Sequence, residues 1–305
     1  MVWVKTMLPV ESRIPPLFRF VQHRIATDGR GGYRLARILE GLHSRFGVLD
    51  RCAPFPLPNG GNIVMPLYWP MLLHKDRLLN YEAHQIEAFS RALDDLGGNV
   101  TLVDCGADVG LFTCLVLRKS HSVKVVHAFE PNSRSFFVLE KNLSALNIEA
   151  HAHCAAVSNC EGMANLREPE QCDEQYLDHS KFIELGGGSV PVTSVDRLGL
   201  PHHCPVAIKI DVEGEEFNVI EGARATLSAV PNFVIQVEAH ADVAMRTNTD
   251  PCELVKAVSA IRDISVKVIH DKRGVIGDRL ALDRPFFDQY PVKSCDILMV
   301  PRGAF

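Results

Sequence analysis

The 305-residue chain is as informative in what it lacks as in what it holds. It has no basic excess: 32 Lys and Arg stand against 37 Asp and Glu, for a formal charge of −5. A general nucleic-acid binder carries the opposite balance. No apolar run is long enough to span a bilayer. The nine cysteines include no C-x-x-C pair. With no ligand cluster at zinc spacing, free buried thiols in a reducing compartment account for them. Met1-Val-Trp-Val-Lys-Thr-Met-Leu8 is too short and too interrupted for a secretory signal, and no internal repeat is visible. The expectation is a cytoplasmic globular protein without a nucleic-acid partner. Hydrophobic residues at 47% and charged residues at 23% are ordinary for that class.

Two regions differ in texture. Residues 1–80 are punctuated by Pro9, Pro15, Pro16, Pro54, Pro56, Pro58, Pro66 and Pro70. Leu35–Leu42 has the spacing of a short amphipathic helix with Gly41 near its end. Asn59-Gly-Gly-Asn62 is a turn signal before a strand at Ile63–Met65. Lys5, Arg13, Arg19, Arg24, Arg30, Arg34 and Arg37 make this arm basic, which allows a weak contact with a membrane surface. A small N-terminal helical and hairpin addition is expected here.

Residues 81–305 alternate strand and helix. Strand patterns fall over 100–104, 123–129, 148–157, 205–211, 232–238, 265–269 and 296–300. Helical periodicity falls over 80–94, 109–118, 133–146, 215–229 and 253–261. That alternation calls for an α/β fold: a mostly parallel seven-stranded sheet with helices on both faces. The last connection reads mostly as loop, which suits an antiparallel closing strand. Between the third and fourth strands, Glu168–Tyr176 and Gly186-Gly-Gly188 read as a loop over the site.

Thr101-Leu-Val-Asp-Cys-Gly-Ala-Asp-Val-Gly110 ends a strand at Asp104 and opens a helix. His127-Ala-Phe-Glu-Pro131 ends the next strand at Glu130. In a doubly wound sheet, ligands sit beyond these strand ends. Glycine lets the backbone approach, and the second acid can hold ribose hydroxyls. A dinucleotide fingerprint would need glycine at position 108, where this chain has Asp. Asp104 and Asp108 would also repel a pyrophosphate. S-adenosylmethionine (SAM), with a sulfonium, an ammonium and a ribose, suits the two acids better. Gly106 is expected to approach the ligand at the rim rather than in the core, so that a side chain there would cost binding and not stability.

A second constellation is Val206-Ala-Ile-Lys-Ile-Asp-Val-Glu-Gly-Glu-Glu216, followed one strand later by Val234-Ile-Gln-Val-Glu-Ala-His240. If these strands are neighbours, Asp211, Glu213, Glu238 and His240 converge on the crevice of Asp104 and Glu130. Acids near a helix N-terminus are favourable in any case, and that explains Glu215 better than the whole set.

The motifs Asp104-Cys-Gly-Ala-Asp-Val-Gly110, Phe129-Glu-Pro-Asn132, Lys209-Ile-Asp-Val-Glu-Gly-Glu-Glu216 and Val237-Glu-Ala-His240 together resemble the FkbM family of SAM-dependent methyltransferases over roughly residues 80–241. Cys105 and Asp108 depart from its usual aliphatic residue and Asn. The resemblance implies a Rossmann-like class I methyltransferase fold, SAM as cofactor and O-methylation of a hydroxyl on a sugar, glycolipid or natural product. It places Asp104, Gly106, Ala107, Asp108, Gly110, Glu130, Pro131 and Asn132 at the cofactor. Fold position adds Val157 and Ser158 beside the adenine.

The catalytic set is then Asp211, Glu213, Glu238 and His240. His240 is the member whose unperturbed pKa lies near neutral pH, which suits a general base. Asp211 is the other candidate, and the three carboxylates offer oxygens to a magnesium ion. A SAM-binding scaffold without activity and an NAD-dependent oxidoreductase are the competing readings.

Overall fold

The computed structural model describes residues 14–47, 51–57, 61–67, 72, 78, 80–167 and 181–303. The Met1–Leu8 start, Lys5 and Arg13 of the basic arm, Asn59 and Gly60 of the expected turn and the polar Glu168–Tyr176 stretch lie outside the described residues. The chain divides into two compact units, Met1–Tyr81 and Glu82–Phe305.

In the first unit, α1 (Pro16–Thr27) starts with proline at its first position, where the missing N–H costs nothing. It packs on α2 (Gly29–Phe46). The contact is close because Gly32 has no side chain: a Cβ there would lie 2.3 Å from the Ile25 backbone. The helix expected over Leu35–Leu42 is therefore longer and runs through Gly41. β1 (Cys52–Pro56) and β2 (Asn62–Pro66) form an antiparallel hairpin. It is a two-stranded ribbon, which leaves room for Pro54 and Pro56. Phe18 of α1 meets Phe55 of β1 edge to face at 6.0 Å.

The second unit is built on an eight-stranded sheet. Its parallel part is β3 (Val100–Cys105), β4 (Val123–Phe129), β5 (Glu149–His153), β10 (Val206–Ile210) and β11 (Phe233–His240). β14 (Ser294–Pro301) runs antiparallel between β11 and β12 (Ile264–His270), as the loop-like last connection requires. The order is β13-β12-β14-β11-β10-β3-β4-β5, where β13 (Gly274–Gly277) is a short edge strand not expected from the sequence. Every residue of β3 and of β10 is buried, as befits central strands covered on both faces.

Helices α3 (Ala83–Asp95) and α4 (Leu111–Lys119) pack together, with Phe89 and Phe112 at 5.7 Å. α5 (Ser133–Ser144) follows β4. One large apolar cluster gathers Val103, Ile208, Ile235 and Ile297 of the sheet with Ile220, Leu227 and Val255 of the later helices.

Three expectations are corrected. The third strand stops at His153, and β6 (Ala156–Val157) turns away to pair in parallel with β9 (Val190–Thr193). The connection expected as a loop over the site holds β7 (Gly162–Arg167), β8 (Phe182–Leu185) and β9, which with β6 form a second, four-stranded sheet. The helix expected over 215–229 is two helices, α6 (Glu216–Glu221) and α7 (Arg224–Ala229). The break falls at Gly222 and Ala223. Gly222 abuts the second sheet so closely that a Cβ would lie 2.2 Å from the Ser158 carbonyl oxygen.

Candidate active site

The ends of β3 and β10 share an unusual backbone. Gly106, Asp108 and Gly110 after β3, and Glu213 and Gly214 after β10, all have φ between 46° and 119°. Two of these five are not glycine, and such residues concentrate where surrounding structure holds a functional turn in place. Gly106 and Ala107 donate their N–H groups to the Phe129 carbonyl at 3.0 and 2.9 Å, tying the turn to β4. Gly106 also lies against β10: a Cβ there would sit 1.7 Å from the Asp211 carbonyl oxygen. The expectation that this glycine matters only at the rim is thus corrected, because the sheet itself has no room for a side chain. At Gly110 a Cβ would press on Leu139 at 2.8 Å.

Asp104 is fully buried. The Thr113 hydroxyl donates to its Oδ2, while its Oδ1 has no hydrogen-bond partner. Burial pushes this carboxyl up, opposed by the Lys209 ammonium. Glu130 is 8% exposed and accepts two backbone N–H groups, from Asp108 at 2.9 Å and Asn132 at 2.7 Å. Burial and then the Asp108 charge push it up to about 8. Pro131 separates Glu130 from Asn132, whose side chain caps α5 by accepting from the Arg134 N–H at 3.2 Å. Asp104, Gly106, Ala107, Asp108, Gly110, Glu130, Pro131 and Asn132 therefore lie together at the ends of β3 and β4. Val157 and Ser158 are buried at the start of the second sheet, Val157 in the apolar cluster and Ser158 donating to Glu215 at 2.6 Å.

The second constellation assembles at the ends of β10 and β11, which are adjacent and parallel. Asp211, Glu213, Glu216, Glu238 and His240 line a cleft open to solvent, with Val243, Thr247 and Leu254 also in its lining. Lys209, buried in β10, contacts Asp211 Oδ2 through Nζ at 2.8 Å. Glu238 donates a hydrogen bond to Asp211. His240 Nε2 meets Glu238 Oε1 at 2.7 Å. The result is one polar line, Lys209–Asp211–Glu238–His240.

The charges along this line follow from their neighbours. Burial opposes the charge of Lys209, but Asp211 and Asp104 outweigh it and hold the ammonium well above the ordinary lysine range. Burial likewise opposes ionisation of Asp211; Lys209 and the Glu238 hydrogen bond outweigh it and hold the carboxyl below its usual value. Glu238 is pushed up to about 7 by burial and by Asp211, so the proton between these two acids sits on Glu238. Burial and Asp211 also push Glu213 up to about 7. His240 is drawn down by burial but far more strongly up, to about 10, by the Glu238 hydrogen bond and the surrounding carboxylates. In the free site His240 is therefore an imidazolium at neutral pH, not the neutral base its ordinary pKa suggests.

Among the described residues, no group of three or more His, Cys, Asp or Glu side chains is set to hold a metal ion. Asp211, one of the three carboxylates considered for magnesium, is engaged by Lys209 and Glu238. The residues do not fit that ion.

Lys209 and Gln236 belong to the site's foundation and are absent from the sequence-derived set. The register places Asp104, Lys209 and Gln236 side by side across β3, β10 and β11. Gln236 donates to the buried Asp296 at 2.6 Å. The signal was present as a polar residue inside an otherwise apolar strand, two positions before Asp211 and before Glu238 and so on the same face.

The chain is similar to known methyltransferases. Residues 104–251 match the methyltransferase FkbM domain. A hexuronic acid methyltransferase, AglP, from Haloferax volcanii is 29% identical over 191 residues, covering 61% of this chain and 74% of its own. Methyltransferase sdnD from Sordaria araneosa is 29% identical over 197 residues, covering 50% of this chain and 75% of its own. Among solved structures, methyltransferase FkbM from Methylobacillus flagellatus aligns with 17% identity and a TM-score of 0.41; the alignment covers 93% of this chain and 58% of that one. Over residues 104–251, just under half of its length, the chain is similar to the FkbM domain of SAM-dependent methyltransferases.

Proposed function

We propose that this FkbM-type methyltransferase transfers a methyl group to a hydroxyl of a sugar, glycolipid or natural product. The observation that carries the reading is the Lys209–Asp211–Glu238–His240 line along the wall of the cleft. The hexuronic acid methyltransferase among the relatives supports a sugar-like acceptor.

The turn after β3 and the acid after β4 fit SAM. The unpartnered Asp104 Oδ1 and the carboxyl of Glu130 offer acceptors to an ammonium and a ribose diol. When bound, SAM supplies a methyl already activated by its sulfonium. The protein's own task is alignment and proton management. Asp211, ionised and fixed by Lys209, accepts the hydrogen bond of the acceptor hydroxyl and orients it. His240 takes the hydroxyl proton. It can do so only after losing its own, and a cation held in the same acidic cleft favours that loss by repulsion. Glu238 positions the imidazole.

Steady-state assays of S-adenosylhomocysteine formation against neutral and acidic glycosides test this reading. Asp211→Asn and His240→Ala are expected to lower kcat by roughly 10²–10⁴ while leaving SAM affinity within a few-fold. The wild-type rate should climb with pH on the alkaline side of the ordinary histidine range, and Glu238→Gln should move that limb to lower pH. Wild-type turnover by both single variants, or SAM loss as their main defect, would remove these residues from the chemistry. A profile flat above neutral pH would assign the proton to Asp211 instead.

A further inference from the structure

The apolar surface of the protein is unevenly distributed. Ten large hydrophobic side chains are exposed among the described residues, and five of them, Leu17, Phe20, Ile38, Leu42 and Phe46, lie on α1 and α2. Isolated exposed hydrophobics need no explanation, but a concentration of them marks a contact surface. On α2, Ile38, Leu42 and Phe46 recur every four residues and form a stripe on its solvent side. Arg30, Arg34 and Arg37 are exposed beside that stripe, and Arg45 stacks its guanidinium over Phe46 at 5.5 Å. Gly32, Ala36 and Leu39, on the side of the helix that adjoins the stripe, are buried.

Charge decides what such a face fits. Residues 14–47 contain six arginines against only Asp28 and Glu40, in a chain whose formal charge is −5. An arginine row beside an apolar stripe is the pattern of a helix lying in a bilayer interface. The apolar side chains enter the acyl boundary while the guanidinium groups reach lipid phosphates. At about 27 Å, α2 is long enough to lie along such a surface. No helix among the described residues is long and apolar enough to cross a membrane. We infer that α2 docks the protein on an anionic lipid surface, with Ile38, Leu42 and Phe46 inserted and Arg30, Arg34 and Arg37 on the phosphates. This contact does not depend on which acceptor the active site takes.

Flotation of the full chain with vesicles tests it, comparing phosphatidylcholine alone with phosphatidylcholine mixed with phosphatidylglycerol. The wild type is expected to float with the anionic vesicles, to stay behind with the neutral ones, and to release as salt rises. Combined Ile38→Ser, Leu42→Ser and Phe46→Ser should weaken binding about tenfold or more, with the circular dichroism spectrum unchanged because all three positions are exposed. Combined Arg30→Gln, Arg34→Gln and Arg37→Gln should do the same by removing about three phosphate attractions. Failure of the wild type to float, equal flotation with both vesicle types, or wild-type binding by both variants overturns the inference. So does a wild-type dimer on size exclusion that the serine variant dissolves, since a second copy would then cover this face.

Discussion

Gly106 shows how a single residue serves fold and site together. Its φ of +81° suits glycine, and the space where a Cβ would stand is filled by the Asp211 carbonyl. Asp211 N–H in turn donates to the Cys105 carbonyl at 2.9 Å, so the two strand ends are laced at the point where one turns toward the cofactor region and the other toward the cleft. Even alanine here must distort that lacing and adopt a left-handed backbone. Gly106→Ala is expected to cost about 2–5 kcal/mol, the sum of a left-handed penalty and an overpacking strain. Urea denaturation measures it. An unchanged midpoint with lost SAM binding would restore the view that the turn lies only at the rim. The sequence showed that glycine was needed at position 106, because a glycine between a strand end and a helix start has few other uses. It did not show why, because the clash is with a backbone atom more than a hundred positions away.

The same division between local and distant causes runs through the elements. The strands ending at Asp104, Glu130, Asp211 and Glu238 were legible because each is a short apolar run closed by an acid. Their adjacency was only a condition in that reading, and the strand pairing supplies it. The second sheet was not legible. Its strands are two to six residues long, and β6 is only Ala156–Val157, too short for periodicity to register. The split between α6 and α7 was hidden because helical spacing continues through Gly222, where the chain passes close to the Ser158 carbonyl.

That split gives α7 a start of its own and a cap from the second sheet's side. Ala225 and Thr226 donate their N–H groups to the Asp196 carboxylate at 3.0 and 2.7 Å. These are donors a helix start leaves otherwise unpaired. Asp196→Ala should therefore destabilise the protein by about 1 kcal/mol, a normal capping loss. It should leave SAM affinity unchanged, since the hydrogen bonds of the Asp196 carboxylate go to the start of α7 and not to the residues assigned to the cofactor. A change in affinity without a change in stability would mean that the second sheet communicates with the site through Ser158 and Glu215.

At the scale of the whole molecule, the site places several acids where folding makes ionisation harder. Glu130 is pushed up to about 8, Glu213 and Glu238 to about 7, all by burial first and neighbouring carboxylates second. A group whose folded pKa is raised binds more protons in the native state than in the unfolded one. Its contribution is full below the unfolded pKa and is lost as pH rises through the folded value. For these three acids that window opens near the ordinary glutamate pKa of about 4.3 and closes around pH 7–8. His240, raised to about 10, adds a loss with the same sign above the ordinary histidine range. Asp211 acts in the opposite sense, because its folded pKa is lowered and its contribution disappears only on acidification.

The free protein should therefore melt at lower temperature as pH rises from mildly acidic to mildly alkaline. A bound cation reverses the trend, because it favours the ionised carboxylates and the neutral imidazole. Binding should release protons, and SAM should raise Tm more at alkaline than at acidic pH. Thermal scans with and without SAM across this interval, with binding enthalpies measured in buffers of different ionisation heat, read both effects. A Tm of the free protein that climbs with pH would show that the buried acids do not govern its stability. Proton uptake on binding would show that the cation sits away from them.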